Sequence, residues 1–579
     1  MGGAIAFALF SHALTSCEAQ LPSTPESSPQ SPQSPQAATT PVPNATELKL
    51  LYWQAPTILN PHLSTGTKDV EASRITLEPL ASYDNDGNMV LFLADEEPTL
   101  ENGGLSDDGT RVTWTLKPGL KWSDGTPFTA NDVVFTYEFL INPDVGASSA
   151  KGYEAIASVT ALNDTTVEII FKEPNPAWFL IFTGVSGMIL PQHMYRDFNG
   201  ANVREAPANL VPVGTGPYRV TEFKPGDVIV FESNPNFRDA NELAFERVEL
   251  KGGGDATSAA RAVLQTGDAD FAFNLQVEAN VLKQFTGAGQ VVATFGALME
   301  RMLLNQTDPN QATDGGERSS LSIPHPFLTD PVVRQAINLA LDRDTIATQL
   351  YGQTGQATAN VVVNPRPFVS SNATYEFAPD KAATLLDDAG WIDSNGDGTR
   401  DKDGVELNLV FQTSVNTLRQ KTQEVVKQSL EAVGLSVELK SIDSSVYFSG
   451  DPANTDTVER FEADIQMYTT GNTDLDPMDY LQTFTCADIP QKDNNWVGYN
   501  SARYCNSEYD ALWNAAQKEL APTKRQELVI QMNDLLVEDA VILPLVHRAK
   551  TAGVSDRLQG FNPTPWDANT WNIAEWNKQ

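Results

Sequence analysis

The sequence has 579 residues and a formal net charge of −36, from 75 acidic and 39 basic residues. Such acidity excludes a nucleic-acid-binding function that depends on basic patches, and it excludes direct adhesion to anionic lipid. The length allows two or three domains, and after Leu14 no apolar run reaches the roughly 20 residues that a membrane-spanning helix needs.

The first 17 residues have features of an export signal. The apolar run Ala4–Leu14 has the length of a signal-peptide core, although the usual basic residues before it are missing. It ends in Leu-Thr-Ser-Cys, which resembles the bacterial lipobox, whose cysteine is lipidated and becomes the mature N-terminus. We therefore predict a lipoprotein signal at residues 1–17 and a lipid anchor on Cys17. The alternative is an ordinary apolar segment with a chance cysteine.

Residues 18–46 are rich in Pro, Ser, Gln and Thr. Their few apolar side chains cannot offset the entropy of ordering the segment. Pro-rich chain is semi-extended, at roughly 3 Å per residue, so it can separate a folded body from a membrane surface. We predict that this segment is a tether.

The folded body is predicted to begin with a strand at residues 47–54, a loop, and a helix at residues 68–80. A second strand follows, in which Val112, Trp114 and Leu116 alternate with polar residues.

The next segment is predicted to be a capped helix. Asp124-Gly125 suits a tight turn. Thr129 is placed as the helix N-cap, with Asp132 three residues later in the style of a capping box. The apolar face of this helix is predicted to comprise Val133, Tyr137, Leu140 and Ile141.

Helices and strands alternate in the rest of the chain. Two helices are predicted to start at Pro331 and Pro379, because proline suits the first helical position. A longer helix is predicted at residues 416–433, before a strand, and another at residues 523–538, before the buried strand VILPLV. This pattern predicts an α/β or α+β fold with discontinuous domains.

Catalytic and metal-binding motifs are missing from the sequence, apart from one acidic stretch. The five histidines are scattered, and neither a nucleophile elbow nor a phosphate-binding loop occurs. The stretch DSNGDGTRDKDG starts like an EF-hand loop, but its twelfth position is Gly404 instead of the glutamate that calcium requires. Two interpretations stay open. One is a solvated acidic turn, and the other is a structural calcium bound by Asp393, Asn395, Asp397 and Asp401.

If Cys17 is lipidated, two cysteines remain, Cys486 and Cys505. In an exported protein such a pair is most simply a disulfide. Two free buried thiols are the alternative.

Several segments together resemble the family 5 extracellular solute-binding proteins of ABC importers, the dipeptide-, oligopeptide- and nickel-binding group. The matching segments occur in family order and are SDDGTRVTWTLKPGLKWSDGTPFTANDVVFTYEF, VGTGPYRV with SNPNF, FLTDPVVRQAINLALDRDTIATQLYGQ, FAPDKAATLLDDAGWIDSNGDGTRDKDG, NNWVGYNSARYCNSEYDAL and VILPLV.

The resemblance implies the two-lobed type II fold of periplasmic binding proteins, with a hinge between the lobes and an extra α+β domain. By analogy, the first lobe comprises residues 47–83, 211–300 and 544–579. The extra domain comprises residues 84–210, and the second lobe comprises residues 301–543.

Most of the motif residues are then interpreted as scaffold rather than ligand contacts. Expected turn, cap and ion-pair residues are Asp124, Gly125, Asp132, Arg334, Asp342 and Arg343.

The resemblance also places a ligand between the lobes. In the first lobe, Trp53 and the loop Ser64-Thr65-Gly66 match positions that line the cleft in relatives, although Trp53 is equally suited to a core.

In the second lobe, peptide-binding relatives pair an aspartate with the amino group of the peptide. Alignment on Asp476-Pro477 places Thr473 at that position and Asp474 one residue later. Thr473, Asp474 and Asp476 are therefore candidate ligand residues, with turn formation as the alternative for the two aspartates.

The implied protein is a lipid-anchored, extracytoplasmic receptor of the cell envelope, facing the periplasm or the exterior. It captures a short peptide and delivers it to the membrane subunits of an ABC permease. A monomer is expected, and no cofactor is required. The alternatives are a family member that binds another solute, such as an oligosaccharide, and a sensor without transport. An enzyme is not expected.

Overall fold

The computed structural model describes residues 46–64, 66–448, 453–472 and 474–579. These residues belong to one compact unit. The predicted signal and lipidation site at Cys17, nearly all of the predicted tether, Thr65 and Thr473 lie outside the described residues.

Strands and helices alternate along the described chain. The strands are β1 (Glu47–Tyr52), β2 (Ala81–Tyr83), β3 (Met89–Leu91), β4 (Arg111–Thr115), β5 (Ile156–Asn163), β6 (Thr166–Phe171), β7 (Tyr218–Lys224), β8 (Val228–Ser233), β9 (Arg247–Gly252), β10 (Phe271–Phe273), β11 (Gly289–Leu304), β12 (Gly355–Ala357), β13 (Asp401–Lys402), β14 (Val405–Glu406), β15 (Asn408–Ser414), β16 (Ser436–Ile442), β17 (Ile465–Thr470), β18 (Ile542–Ser555), β19 (Leu558–Gln559) and β20 (Asn577–Lys578). The α-helices are α1 (Thr67–Ser73), α2 (Ala130–Ile141), α3 (Gln192–Tyr195), α4 (Ala256–Arg261), α5 (Ala279–Leu282), α6 (Pro331–Ala340), α7 (Arg343–Thr345), α8 (Pro379–Asp388), α9 (Thr417–Glu431), α10 (Ser444–Tyr447), α11 (Met478–Gln482), α12 (Ser507–Ala516) and α13 (Pro522–Asp539).

One sheet joins two halves of the molecule through the long strands β11 and β18. Its strand order is β16-β15-β17-β11-β18-β10-β1-β9-β8-β7, and β12 also pairs with β18. The register of the β11–β18 ladder shifts between Glu300 and Arg301, and the ladder is interrupted between Phe295 and Met299. We call this interruption, residues 296–298 of β11 with Arg548 of β18, the crossover. It is where the two halves of the sheet meet.

Each half of the sheet is built by parallel pairing. β1 lies parallel to β9 and β10 in the first half, and β15 lies parallel to β16 and β17 in the second. Two neighbouring parallel strands need a long connection between them, and α9 supplies it between β15 and β16. A separate apolar core packs on each half of the sheet. A third core consists of residues between positions 63 and 208 and surrounds the small β4-β6-β5 sheet.

Most predicted elements are confirmed. Thr129 caps α2, and its side chain and that of Asp132 form the predicted capping box. Pro331 and Pro379 begin α6 and α8. The predicted buried strand VILPLV is the start of the longer β18.

The helix predicted at residues 68–80 is too long, because α1 ends at Ser73. The chain beyond it is buried, and the backbone N–H of Leu80 donates to the Phe182 carbonyl at 2.9 Å while the Thr76 carbonyl accepts from the Gly216 N–H at 2.9 Å. These distant partners replace the helical hydrogen bonds of the last predicted turn.

The predicted apolar face of α2 was partly wrong. Ile141 is 43% exposed, whereas Phe135 and Phe139 are buried. Phe135 and Phe139 pack in the core of the extra domain, whereas Ile141 lies at the solvent-exposed end of the helix.

The predicted scaffold roles hold, with one correction. Gly125 has a left-handed φ of +91°, as the predicted turn requires, and Asp342 caps α7. Among the residues that the structure describes, however, Arg334 and Arg343 have no ion-pair partner. Arg334 Nε donates to the carbonyl of Asp539 at 2.7 Å, and Arg343 Nε donates to the carbonyl of Pro544 at 2.7 Å. Arg334 thereby joins α6 to the end of α13, and Arg343 joins α7 to β18.

Cys486 and Cys505 form the predicted disulfide, with their Cα atoms 4.6 Å apart. None of the helices in the described part of the chain has the length and apolar character needed to cross a bilayer.

Candidate ligand-binding cleft

A cavity of about 560 Å³ opens at the crossover. The first half of the molecule contributes the start of α1, residues after β10, and a segment near the C-terminus; the second half contributes residues of β17 and α9. The residues that line it include Ser64, Gly66, Glu71, Asn274, Arg419, Thr469, Asn472, Arg548, Lys550, Trp566, Asp567 and Asn569.

Of the residues predicted to line the cleft in the first lobe, Ser64 and Gly66 do so. The Ser64 hydroxyl lies 3.2 Å from both the Gly66 carbonyl and Asp69 Oδ2, which orders the loop before α1. Trp53 is not among the lining residues. Its indole donates to the Asn274 carbonyl at 2.9 Å and packs on the core that contains α4 and α5. This placement favours the alternative core role.

Asp476 does not face the cleft. Asp476 is 4% exposed, and its carboxylate pairs with the Arg525 guanidinium, with one contact at 3.0 Å. It also accepts a hydrogen bond from the Met478 backbone N–H at 2.9 Å. The structure therefore places Asp476 in a buried ion pair that fixes the start of α11.

Asp474 is half-buried near the cleft. Its backbone carbonyl accepts a hydrogen bond of 2.8 Å from Asn472, which lines the cavity. Its negative charge affects two buried groups. It opposes the lowering of the Lys550 pKa by burial, and it adds to the raising of the Tyr153 pKa, of which burial is the main cause. Asp474 is thus the predicted second-lobe aspartate that lies close to the cleft.

A network of buried charges forms one wall of the cavity. Lys550 Nζ donates to the Pro565 carbonyl at 2.9 Å, and Asp567 pairs with Arg74 Nε at 3.2 Å. The Glu71 carboxylate accepts from the Asn569 backbone N–H at 2.8 Å. Burial raises the pKa of Glu71 to about 7 and lowers the pKa of Lys550.

Sequence reasoning missed this network. Glu71 and Asn569 are about 500 positions apart, so no local spacing could connect them. The only available signal was an acidic residue on a helix predicted beside the cleft loop.

A pair of arginines also lines the cavity. Arg419 Nε pairs with Glu300 at 3.0 Å, and Arg419 Nη2 donates to the Thr469 hydroxyl oxygen at 3.0 Å. Arg548 Nη1 lies 3.4 Å from the same hydroxyl oxygen. Burial, and then the charge of Arg419, lower the pKa of Arg548.

Two buried polar atoms of the cavity wall have no hydrogen-bond partner among the described residues. They are the indole N–H of Trp566, a donor, and Oδ1 of Asn472, an acceptor. Buried polar groups are ordinarily paired. A ligand with both an acceptor and a donor would satisfy them.

The candidate calcium residues form a self-contained turn. Asp393 Oδ1 accepts from the Gly396 N–H at 2.7 Å, and Asp401 Oδ2 accepts from the Ser394 N–H at 2.9 Å. Asp397 Oδ2 accepts from Asn395 Nδ2 at 2.9 Å. In the ranges that the structure describes, no three His, Cys, Asp or Glu side chains converge as on a metal ion. This arrangement fits the acidic turn, and calcium binding stays a prediction.

A family model for bacterial extracellular solute-binding proteins, family 5, matches residues 91–491, more than half of the chain. The chain belongs to this family. The resemblance inferred from the motifs is thereby confirmed, and this family 5 protein is an extracytoplasmic solute-binding protein rather than a member of an enzyme family.

The family 5 protein is similar to the oligopeptide-binding protein AppA of Bacillus subtilis, with 27% identity over 90% of this chain and 89% of AppA. The solved structure of that AppA in complex with a nonapeptide superposes with a TM-score of 0.70 and 24% identity, over 92% and 99% of the two chains. NikZ from Campylobacter jejuni, solved in complex with Ni(L-His), gives a TM-score of 0.74 and 23% identity, over 92% and 100%. These matches confirm the two-lobed α/β type II fold. The domain boundaries given above stay predictions.

Proposed function

We propose that this family 5 protein captures a short peptide between its two lobes and delivers it to the permease of an ABC importer. The observation that carries the proposal is the cavity at the crossover, which is lined by polar groups from both halves of the sheet. A ligand that contacts both halves stabilises the closed arrangement over the open one, and closure marks the loaded receptor for the permease.

The chemistry of the wall supports a peptide. An extended peptide presents alternating N–H donors and C=O acceptors, and it can satisfy both Asn472 Oδ1 and the Trp566 indole. The cavity of about 560 Å³ lies within the range of roughly 300–1,000 Å³ that is usual for small ligands, so it favours a short peptide. The oligopeptide-binding name of the AppA relative agrees with this ligand class.

The proposed receptor is a monomer held at the membrane by a lipid on Cys17 and by the tether at residues 18–46. Tethering raises its concentration near the permease. It catalyses no reaction and needs no cofactor. Asp474 is proposed to pair with the amino group of the peptide.

Native mass spectrometry of protein purified without denaturation would show whether a peptide is retained. Titration calorimetry with a pool of di- to pentapeptides would then measure binding. Failure of every peptide to bind, together with retention of an oligosaccharide or another solute, would overturn the peptide proposal.

The amine site has its own test. Asp474→Asn and acetylation of the peptide amine should each cost about 2–5 kcal/mol, because each removes one partner of a desolvated ion pair. The two losses should not add, since they describe one contact. Unchanged affinity in both cases would remove Asp474 from the site while leaving peptide binding intact.

A further inference from the structure

A second cavity, of about 420 Å³, shares no lining residue with the cleft. We propose that this second cavity is a binding site for a small organic carboxylate with an aromatic or apolar part. Its walls include residues of β3, the turn after β4, the segment between β8 and β9, and residues 571–577. Its volume lies in the range of roughly 300–1,000 Å³ that is usual for small ligands. The site is independent of the proposed capture of peptides in the cleft.

Arg74, at the C-terminal end of α1, brings an unsatisfied donor to the wall of the second cavity. Its side chain is 1% exposed, and its Nε pairs with Asp567 at 3.2 Å. Its Nη1 lies 3.4 Å from the Leu77 carbonyl. Its Nη2 is buried and has no hydrogen-bond partner in the described part of the chain. Because buried donors are ordinarily paired, and an unpaired one costs free energy, an acceptor is expected beside this guanidinium.

Lys117 adds a positive charge to the same wall. Its Nζ donates to the carbonyls of Leu91 at 3.2 Å and Phe92 at 3.0 Å, which leaves one of the three N–H donors of the ammonium group. Among the residues that the structure describes, Lys117 forms no ion pair. Burial, and then the charge of Arg238, lower the pKa of Lys117. An anion beside the ammonium group would oppose both effects.

The acidic residues of the second cavity are already engaged or exposed. Glu78 is 1% exposed, and its two carboxylate oxygens each accept a hydrogen bond of 2.9 Å from Arg238. Asp239 lies 3.6 Å from Nε of the same arginine. Glu575 accepts a hydrogen bond of 2.9 Å from a neighbouring asparagine. Glu242 is exposed, so solvent and salt screen its charge. The unsatisfied donors therefore need an acceptor that a ligand supplies.

Aromatic side chains form the apolar part of the wall. Phe92, Phe237, Trp571 and Trp576 all line the second cavity, and each is at most 9% exposed. The Arg74 guanidinium carbon lies 4.3 Å from the centre of the Phe92 ring, so the donor adjoins the aromatic surface. An aromatic ring of a ligand packs favourably on such a surface. Its carboxylate then accepts charge-assisted hydrogen bonds from guanidinium and ammonium groups.

The carboxylate can belong to a free organic acid or to an amino acid, and the test separates these sources. It follows the tryptophan indole N–H signals of isotope-labelled protein by NMR during titration with phenylacetate, phenylacetamide and L-phenylalanine. Trp571 lines the second cavity and Trp566 lines the cleft, so their signals report on the two cavities separately. Trp571→Phe and Trp566→Phe assign these signals.

Lys117→Gln removes the unpaired charge. Lys121→Gln is the matched control, because Lys121 is exposed on the chain just after Lys117 and does not line the second cavity. Melting curves check that each variant is folded.

We expect phenylacetate to shift the Trp571 signal saturably and to leave the Trp566 signal in place. Phenylacetamide should bind at least about tenfold more weakly, and Lys117→Gln should weaken phenylacetate binding by a similar factor, as expected when one charge-assisted hydrogen bond is lost. Lys121→Gln should bind phenylacetate like the wild type. Whichever of phenylacetate and L-phenylalanine binds more tightly, as judged by the Trp571 signal, identifies the source of the carboxylate.

Three results would overturn the site. The first is a Trp571 signal that neither acid moves at about 10 mM, a concentration that mostly fills a site with a Kd of about 1 mM. The second is a phenylacetate shift confined to Trp566, which would place the acid in the cleft. The third is equal binding of phenylacetate and phenylacetamide, which decides the question even if Lys117→Gln does not fold. All three leave peptide binding untouched, so the proposed function stands or fails separately.

Discussion

Replacement of Asp476 by asparagine should destabilise the protein without weakening ligand binding. Asp476 and Arg525 are 4% and 7% exposed and form a paired contact in the core of the second half. Asparagine has nearly the same shape and can still accept the hydrogen bond from the Met478 backbone N–H. The change therefore removes mainly the negative charge and leaves the Arg525 guanidinium buried without its partner.

Breaking a buried ion pair from one side costs about 3–5 kcal/mol. An entropy of unfolding of about 2.1 cal/mol/K per residue gives about 1.1 kcal/mol/K for a unit of roughly 530 residues. If the unit unfolds in one transition, Asp476→Asn should lower the melting temperature by about 3–5 °C. Arg525→Gln should do the same, and the double variant should lose less than the sum, because both changes remove one contact.

Scanning calorimetry measures the melting temperatures, and titration calorimetry at a temperature where all variants are folded measures peptide affinity. Glu376→Gln is the control, since Glu376 pairs with Lys381 on the surface, where both side chains are 59% exposed. An exposed pair contributes about 0–1 kcal/mol, so its melting temperature should fall by about 1 °C or less. If Asp476→Asn melts like the wild type but loses the ligand, Asp476 is a ligand residue and the structural argument is wrong.

Three further predictions concern other regions. Reduction of the Cys486–Cys505 disulfide, which closes a loop of 19 residues, should lower the free energy of unfolding by about 3 kcal/mol in the chain-entropy model; two alkylatable thiols in the native protein would contradict the pairing. Because burial raises the pKa of Glu71 from 4.5 to about 7, the folded state holds an extra proton between these values, and stability should fall as the pH rises from about 4.5 to 7. In urea titrations Glu71→Gln should show a smaller fall, and an identical pH profile would argue against a raised pKa. If calcium binds at Asp393, Asn395, Asp397 and Asp401, a chelator should lower the melting temperature and added calcium should raise it; an unchanged melting temperature would leave only the acidic turn, whose carboxylates accept from backbone N–H groups of the same turn.

Local signals predicted the helices well where the chain supplies its own caps. Thr129 and Asp132 form a capping box from residues three positions apart, and Pro331 and Pro379 need no partner beyond their own turn. The helix predicted at residues 68–80 was too long because the backbone beyond Ser73 hydrogen-bonds to distant segments, which no periodicity encodes.

The same distinction applies to the cleft. Motifs in family order were sufficient to predict the family and the two-lobed fold, and Ser64 and Gly66, which line the cleft, were predicted because their loop matches cleft-lining positions of relatives. Asp476 could not be assigned from the sequence. An aspartate carboxylate can pair with a ligand amine as well as with a guanidinium, and only the burial of Asp476 against Arg525 decides between these partners.

The sequence by itself determined the family, the alternation of strands and helices, and the cysteine pair, because these depend on local patterns or on the elimination of alternatives. Only the tertiary structure decided which charges face the cavity. Glu71 meets Asn569, Arg419 meets Glu300, and Arg548 meets Thr469 without a carboxylate. Each of these contacts joins residues at least 79 positions apart. Electrostatic interactions depend on distance and burial in space, so the balance of charge in the cleft is set by the packing of the two halves.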